Sequence, residues 1–270
     1  MIYNIIKPIS PKVPILISVP HCGINIPESC KNRYTPEALA GLDDTDWFVD
    51  KLYDFATEMG ITMVSAKYHR WLIDLNRNSE SSPLYTDGRI ITGLTPTSDF
   101  NGNSIYNTNQ EPNQAEIDER LSQYYHPYYD GITKEINELQ KTFNHVLFFD
   151  AHSIRQYVPG VHAERFPDLV LGDVDETSAN QKIIKVAEDI LFNSGYTFSH
   201  NTPFKGGNLT RNFGKPSANI HALQLEMSKL VYMNDAEIAY DKPRADEVRV
   251  ILKQLFEGLI SCLNKMNSNA

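Results

Sequence analysis

Three short apolar runs, each closed by an ionisable side chain, constrain the fold of this 270-residue chain more than any other feature. Residues 15–19 lead to His21, residues 146–149 lead to Asp150 and His152, and residues 220–225 lead to Glu226. Short buried strands that alternate with helices predict an α/β sandwich with a largely parallel sheet. Ligands of such folds bind beyond the carboxyl ends of the strands. We therefore expect this edge of the sheet to carry the functional site.

The other periodic segments complete the predicted architecture. Strands are predicted at residues 15–19, 61–66, 71–75, 146–149, 169–171 and 220–225. Helices are predicted over residues 48–59, 117–139, 178–192 and 248–263, where apolar residues recur at helical spacing. Gly60 should close the first helix, and Pro127 should kink or split the second. No repeat or long linker divides the chain, so one domain is expected over residues 1–270.

The segment 78–113 is rich in Asn, Ser, Thr, Gly and Pro. It is too long and too polar for a simple connection, which predicts a functional loop or a cover. Arg155 and the loop that runs to Asp168 are expected to border the same pocket.

Charge and cysteine content limit the classes of partner. With 34 acidic and 25 basic residues, the formal net charge is −9, which argues against a nucleic-acid or acidic-membrane partner. A small anionic substrate remains compatible, because a local arginine cluster can outweigh the global sign. Three cysteines without a CxxC spacing predict no disulfide framework, and no apolar stretch reaches the length of a membrane span. We expect a cytoplasmic protein that is a monomer or a small homo-oligomer.

Candidate metal ligands follow from the strand ends. Catalytic zinc takes three protein ligands and keeps an open position for water. His21 and His152 offer two ligands, and the acidic cluster at residues 43–46 is the source of a third, with Asp46 preferred over Asp44. The competing interpretations are ordinary turn or core histidines, and aspartates that cap a helix.

Two further segments predict anion binding. Asn76 and Arg77 follow Asp74 at the end of a predicted strand, and an amide and a guanidinium suit a carboxylate. The alternative is a buried salt bridge between Asp74 and an arginine such as Arg70.

The second segment carries Gly206 and Gly207, which let the backbone approach another group closely, and Arg211 four residues beyond. We expect these residues to contact a substrate.

Other chemistries are weaker. Cys22 suggests a thiol nucleophile, but adjacent residues of an extended chain point to opposite faces, so Cys22 and His21 cannot pair easily. The same adjacency argues against Ser153 with His152. No GxSxG, P-loop or GxGxxG motif is present. The tyrosines at 124, 125, 128 and 129 are interpreted as helix packing, and the histidines at 69, 126, 145, 162 and 200 as structural or exposed.

Seven motifs, in order along residues 14–233, resemble the N-formylglutamate amidohydrolase family. They are SVPHCG at 18–23, DTDW at 44–47, RWLIDLNR at 70–77, TGLTP at 92–96, DAHSI at 150–154, the glycine pair 206–207 with TR at 210–211, and HALQLE at 221–226. The resemblance implies a single-domain, three-layer sandwich in which a mixed, largely parallel sheet lies between helices, as in zinc carboxypeptidases and aspartoacylases.

The resemblance also implies roles. It gives one divalent metal per chain, usually Zn²⁺, with His21, Asp46 and His152 as ligands. It makes Glu226 the general base, and Arg70 is expected to stabilise the oxyanion. Substrate binding is expected of five residues: Asn76, Arg77, Gly206, Gly207 and Arg211. One departure is that aspartoacylase-like relatives carry a glutamate three residues after the first histidine, where this chain has Ile24.

The implied activity is hydrolysis of N-formyl-L-glutamate to formate and L-glutamate, the last step of a histidine degradation route. Two alternatives stay open. One is a zinc amidase for another N-acyl amino acid, similar to aspartoacylase, and the other is a metal-free protein that binds a small ligand.

Overall fold

A seven-stranded mixed sheet forms the centre of the computed structural model, which describes residues 2–80 and 92–269. The strands are β1 Tyr3–Ile6, β2 Ile15–Val19, β3 Thr62–Ala66, β4 Val146–Ile154, β5 Leu169–Gly172, β6 Phe198–His200 and β7 Ile220–Ser228. Their order across the sheet is β1-β3-β2-β4-β7-β5-β6. Neighbouring strands run parallel, except that β1 is antiparallel to β3 and β5 is antiparallel to β7.

Helices connect the strands. They are α1 Glu28–Lys31, α2 Pro36–Gly41, α3 Val49–Leu52, α4 Gln114–Arg120, α5 His126–Gln140, α6 Gln181–Phe192, α7 Asn208–Phe213 and α8 Lys242–Ser268, with 3₁₀ turns at Asp54–Thr57, Pro216–Ala218 and Lys229–Val231. None of these helices within the described chain has the length and apolarity to cross a bilayer.

The sheet lies between two apolar cores, because successive side chains of a strand point to opposite faces. On one face Ile17 and Phe149 pack in the cluster that includes Ile183 of α6 and Leu252 of α8. On the other face Phe148 packs with residues of α5 and α7 in a second cluster. Both faces of the sheet are therefore covered, which confirms the predicted three-layer α/β sandwich with a mixed, largely parallel sheet.

The strand register brings the functional residues together. Ser18 of β2 lies opposite Asp150 of β4, and His152 of β4 lies opposite Glu226 of β7. The three parallel strands end at the same edge of the sheet. The expectation that their carboxyl ends meet is confirmed, although β4 and β7 continue two residues past His152 and Glu226.

The prediction of a strand at residues 71–75 is wrong. The segment forms turns, in which Leu72 N donates to His69 O and Asp74 N donates to Leu94 O. Trp71 and Ile73 are nonetheless buried, because other loops and helices cover them. Burial in a turn therefore produced the apolar pattern that predicted a strand.

The helix predicted over residues 48–59 is also shorter than expected. It divides into α3 and the 3₁₀ turn Asp54–Thr57, and Gly60 ends the segment in a left-handed conformation with φ +84°. The predicted helix over 117–139 is split as expected: five residues of π-helix, Leu121–Tyr125, separate α4 from α5, and Pro127 lies in the first turn of α5. Strands β1 and β6 were not predicted, because both are short and lie at the edges of the sheet.

The tyrosines of this long helix hold the loop that follows residue 74. Tyr125 donates through its hydroxyl to Arg77 O at 2.8 Å, and Tyr129 donates to Leu75 O at 2.9 Å. Tyr128 is fully buried beside Ser18. Their interpretation as packing residues is confirmed, and the hydroxyls add a second task, since they fix the backbone next to Asn76.

Candidate active site

His21, Asp46 and His152 converge beyond the carboxyl ends of the central strands. One ligand atom from each residue can be chosen so that all three atoms lie within 4.8 Å of one another. His21 lies two residues after β2, His152 lies in β4, and Asp46 is carried by the loop before α3. The loop is tied to the first histidine, since Asp46 N donates to His21 O at 2.9 Å. All three side chains are buried.

The donor atoms of this group fit a divalent metal. Oδ2 of Asp46 lies 3.8 Å from Nδ1 of His21 and 3.2 Å from Nδ1 of His152. Ligands of tetrahedral zinc at about 2.0–2.2 Å from the ion are about 3.4 Å apart. Nδ1 of His21 is buried and has no hydrogen-bond partner among the described residues. A buried acceptor without a partner is costly unless a cation or water fills the space.

Asp74 fixes the orientation of His21. Nε2 of His21 donates to Oδ1 of Asp74 at 2.8 Å, so the lone pair of Nδ1 faces Asp46. Oδ2 of Asp74 accepts from Nε and Nη2 of Arg70 at 3.2 and 2.6 Å. The alternative of a buried Asp74–Arg70 salt bridge is thus correct. The same carboxylate also orients His21, a candidate metal ligand, as carboxylates commonly do in zinc sites.

His152 has the same arrangement on the opposite side. Its Nε2 lies 3.1 Å from Oδ2 of Asp150 and 3.1 Å from Nδ2 of Asn76. Asp150 is fully buried, and its Oδ1 lacks a hydrogen-bond partner among the described residues. Each histidine of the group therefore presents Nδ1 to Asp46 and has a carboxylate at Nε2.

The choice between the two aspartates falls on Asp46. Its Oδ2 also accepts from Ser153 N at 3.1 Å, which holds the carboxylate against β4. Asp44 instead accepts from Nε1 of Trp71 at 2.8 Å and from Phe100 N at 3.1 Å, so its carboxylate positions the cover. Neither aspartate caps α3, whose N-cap is Phe48 without a side-chain bond.

Burial and neighbouring charges set the protonation of these groups. Burial lowers the pKa of His21, which favours the neutral ring that binds a metal. Burial alone would lower the pKa of His152, but Asp150 and Asp46 raise it well above its usual value. Burial likewise opposes ionisation of Asp46, yet its bond to His152 and the nearby His21 hold its pKa below the usual value. In the metal-free protein, a protonated His152 thus lies between the carboxylates of Asp46 and Asp150.

Glu226 lies next to the candidate metal ligands and takes part in none of their hydrogen bonds. It is the register partner of His152 across β4 and β7. Its carboxyl group forms no hydrogen bond or ion pair with a described residue, and the residue as a whole is half-buried. Burial raises its pKa to about 8, and the charge of His152 only partly offsets that rise. A carboxyl group with a pKa near the working pH is suited to accept and return a proton.

The glycine pair packs closely against the side chain of Asn76. A Cβ on Gly207 would lie 2.2 Å from Nδ2 of Asn76, and Gly206 has a φ of +118° that favours glycine. Leu209 N, in the first turn of α7, donates to Oδ1 of Asn76 at 2.8 Å. The predicted close approach of the glycine backbone is present. The group that it approaches is the side-chain amide of Asn76, which contacts His152.

The predicted carboxylate-binding residues differ in their surroundings. Arg77 donates from Nε to Thr92 O at 2.8 Å and from Nη2 to the Thr92 hydroxyl at 3.1 Å, so it holds the start of the 92–113 segment. Arg211 is exposed on α7, and its Nε donates to Gly206 O at 3.1 Å. Substrate binding by Asn76, Arg77 and Arg211 stays a prediction.

The thiol alternative does not fit the structure. Sγ of Cys22 lies 3.4 Å from Val19 O and 3.5 Å from Ala66 O, and burial raises its pKa well above the usual value. A reactive cysteine needs the opposite environment. The hydroxyl of Ser153 bonds the hydroxyl of Tyr232 at 2.7 Å, which also leaves no serine–histidine pair.

The structure describes part of the segment 78–113, which is predicted to be a functional loop or a cover. Residues 81–91 lie outside the described chain. Within the described part, the ring of Phe100 lies 4.8 Å from the guanidinium carbon of Arg70, and Asn101 borders a small cavity together with Arg155. The role of this segment in acyl specificity stays a prediction.

Several buried polar residues belong to no motif that could have assigned their role from the sequence. The buried cation Lys229 follows β7 in an ordinary-looking turn. Histidines without an obvious partner proved structural: His69 bonds the hydroxyl of Thr45 at 2.9 Å, and His145 bonds His221 at 3.1 Å at the far end of β7. His221 therefore belongs to the matched motif but lies away from the site.

Known proteins are similar to this chain in sequence and in fold. The family model described as N-formylglutamate amidohydrolase matches residues 13–233. N-formylglutamate deformylases of Pseudomonas putida and Pseudomonas aeruginosa are 35% and 36% identical over 252 residues, which cover 93% of this chain and 93% and 94% of theirs. A solved N-formylglutamate amidohydrolase from Ralstonia eutropha JMP134 has the same fold, with a TM-score of 0.81 at 24% identity over 97% of this chain and 98% of that chain. The resemblance noted in the sequence is confirmed. The chain therefore belongs to the N-formylglutamate amidohydrolase family.

Proposed function

We propose that this enzyme hydrolyses the formamide bond of N-formyl-L-glutamate. Water attacks the formyl carbon, the C–N bond breaks, and the products are formate and the amine of L-glutamate. The relatives named N-formylglutamate deformylase support the substrate, since they match 93% of the chain at 35–36% identity. We place this reaction in the cytoplasm, as the last step of a histidine degradation route.

The observation that carries the proposal is a buried group of His21, Asp46 and His152 with Glu226 directly beside it. These three residues would hold one divalent cation per chain, which we take to be Zn²⁺. Such an ion supplies Lewis acidity: it lowers the pKa of a water molecule and polarises a carbonyl group. Asp74 and Asp150 keep the two histidine rings in the orientation that this requires.

Glu226 acts as the general base and then as the general acid. Its carboxylate takes a proton from the attacking water and delivers it to the nitrogen of the leaving glutamate. The raised pKa, about 8, makes the carboxyl group a suitable carrier in both directions near neutral pH. No other hydrogen bond from the described chain competes for its oxygens.

Arg70 stabilises the negative charge that develops on the formyl oxygen. Its Nε and Nη2 are occupied by Asp74, whereas its Nη1 forms no hydrogen bond with a described residue. Asp74 raises the pKa of Arg70 against the effect of burial, so the guanidinium stays charged. A preorganised cation in a buried site is worth several kcal/mol to such a transition state.

The substrate carries two carboxylates, and we assign Arg211, with the backbone of Gly206 and Gly207, to the recognition of one of them. Arg211 is exposed on α7 and lies two residues after Leu209, whose N–H bonds Asn76. We assign Asn76 and Arg77 to the same side of the substrate site. Both residues already make hydrogen bonds that hold the surrounding structure in place.

The test is release of formate from N-formyl-L-glutamate by the purified protein, with and without a chelator. We expect activity that a chelator removes and added Zn²⁺ restores, and metal analysis should give about one ion per chain. N-acetyl-L-glutamate and N-formyl-L-aspartate serve as comparison substrates. Faster hydrolysis of the acetyl compound would favour the amidase alternative, and a metal-free protein that binds but does not hydrolyse would favour a binding function.

The role of Glu226 has its own test. Glu226→Gln should lower turnover by several orders of magnitude while the metal content stays near one per chain. Glu257→Gln, at an exposed position on α8, is the matched control and should keep wild-type turnover. Near-normal activity of Glu226→Gln would remove the general base from the mechanism.

A further inference from the structure

Phe100 lies against the guanidinium group of Arg70, the cation that the proposed mechanism assigns to the oxyanion. The guanidinium carbon lies over the face of the phenyl ring, 4.8 Å from the ring centroid. Arg70 is only 6% exposed, so the ring covers part of a cation that is almost closed off from solvent. An arginine over an aromatic face gains a cation–π attraction, which is stronger where the cation is desolvated. None of the seven sequence motifs contains Phe100.

The turn that carries this ring is fixed by its own hydrogen bonds. The buried carboxylate of Asp99 accepts from Asn101 N at 2.9 Å, and from N and Nδ2 of Asn103 at 2.8 Å each. The backbone closes the same turn, since Gly102 N donates to Asp99 O at 3.0 Å and Asp99 N donates to Asn103 O at 3.0 Å. The backbone of Phe100 is therefore held in place before the ring makes any contact.

A buried carboxylate ties this turn to the segment of Arg70. Oδ1 of Asp44 accepts from Phe100 N at 3.1 Å, and Oδ2 accepts from Nε1 of Trp71 at 2.8 Å. Trp71 is the next residue after Arg70. The ring and the guanidinium group are thus positioned relative to one another through a single side chain that is itself buried.

Apolar side chains from two other loops support the ring. Phe100 packs against a buried cluster of Ile154, Val158 and Phe166, which follows β4. The ring of Phe166 stacks on that of Phe204 at 5.2 Å between centroids, and Phe204 belongs to the loop that carries the glycine pair. Displacement of the phenyl ring would therefore disturb packing in three loops around the site.

Arg70 needs a contact of this kind, because its hydrogen bonds hold only one edge of the guanidinium group. Nε and Nη2 donate to Oδ2 of Asp74 at 3.2 and 2.6 Å, and Nη1 has no hydrogen-bond partner among the described residues. Bonds to one oxygen leave the guanidinium plane free to tilt about that edge. A ring that lies over the face of the group restricts this tilt.

We propose that Phe100 is a positioning residue, whose ring orients the guanidinium group of Arg70 toward the developing oxyanion and keeps water away from it. The inference rests on the proposed function, since Phe100 acts through the oxyanion role of Arg70. A preorganised cation in a dry site stabilises the charge of a transition state more than a mobile or hydrated one does. The contribution of Phe100 therefore belongs to kcat and not to KM.

The kinetic experiment separates the aromatic face from apolar bulk. Phe100→Leu should lower kcat for N-formyl-L-glutamate about tenfold and change KM less than about twofold, whereas Phe100→Tyr should keep kcat within about threefold of wild type. In the Arg70→Met background, the added Phe100→Leu change should alter residual turnover less than about twofold, because no guanidinium group remains to be positioned. Phe192→Leu, at a position that is 70% exposed, is the matched control, and thermal unfolding and metal content confirm the fold.

A spectroscopic measurement tests the contact without substrate or metal. In protein labelled with ¹⁵N-arginine, the Nε–H signal of Arg70 is assigned by its loss in Arg70→Lys. Ring currents move a proton over an aromatic face upfield, so this signal should lie upfield in wild type and Phe100→Tyr relative to Phe100→Leu. Its exchange with water should become about tenfold faster in Phe100→Leu, where the shielding ring is missing.

The two measurements keep the inference distinct from the proposed function. Unchanged kcat in Phe100→Leu, an equal loss with and without Arg70, or an Arg70 signal that does not depend on the ring would overturn the positioning role. A wild type that releases no formate, but whose Arg70 signal depends on the ring as expected, would refute the deformylase and support the orientation of Arg70 by Phe100.

Discussion

Replacing Glu226 by glutamine should stabilise the metal-free protein at neutral pH while it abolishes turnover. Burial raises the pKa of Glu226 from 4.5 to about 8 in the folded chain, whereas the unfolded chain ionises near 4.5. Between these values the folded state holds a proton that the unfolded state has released. The stability of the wild type therefore falls as the pH rises from about 4.5 to 8, and it is flat beyond.

The magnitude follows from the linkage relation. At pH 7 the penalty extends over about 2.5 pH units above the ordinary pKa, at about 1.4 kcal/mol per unit, which gives about 3 kcal/mol. The carboxyl group keeps some contact with open space, and the screening that results reduces this figure. We expect Glu226→Gln to exceed wild type by about 1–3 kcal/mol at pH 7 and by about zero at pH 4.5.

The assay is urea unfolding of chelator-treated protein at several pH values from 4.5 to 8.5. Titrating groups that do not interact with Glu226 are common to both proteins and cancel in the difference between them. His152 interacts with Glu226, so the difference reports the titration of this pair. Glu257→Gln provides the control for loss of an exposed carboxylate. A stability difference that is the same at pH 5 and pH 8 would show that the protein environment does not raise the pKa of Glu226, and the argument for its role as a proton carrier would lose its physical basis.

Three further changes have defined outcomes. Asp74→Asn should weaken metal binding about 10–100-fold, because it removes the carboxylate at Nε2 of His21; competition with a chelator measures this, and unchanged affinity would contradict the orienting role. Arg211→Ala should mainly raise KM for N-formyl-L-glutamate with little change in kcat, so steady-state kinetics that show unaltered KM would remove Arg211 from the substrate site. Cys22→Ala should keep wild-type turnover, because burial holds its thiol protonated, and a large loss of activity with normal metal content would revive the thiol mechanism.

The sequence by itself determined the central strands and the residue types of the site. Residues 15–19, 146–149 and 220–225 are apolar runs of strand length, and in a parallel sheet the ends of such runs meet at one edge. His21, His152 and Glu226 could therefore be predicted to lie together. Their residue types predicted a metal site, since two histidines and a carboxylate are a common zinc ligand set, whereas the role of Glu226 as a base came from the resemblance to the family.

Only the tertiary structure decided between chemically equivalent candidates. Asp44 and Asp46 lie two residues apart in one acidic cluster, and no periodicity separates them. The fold does so, because Ser153 N and the two histidines face Asp46 while Trp71 and Phe100 bond the other carboxylate.

The same limit explains the remaining differences. The apolar residues 71–75 predicted a strand, but their partners are loops distant in sequence, which the local pattern does not record. Lys229 follows β7 without any motif, and its burial with a hydrogen bond from Nζ to Asp43 O follows only from the packing of distant segments. A sequence gives the identity and spacing of its polar groups. Which of these groups are satisfied on folding, and which are left to bind a metal or a substrate, depends on contacts that only the packed chain creates.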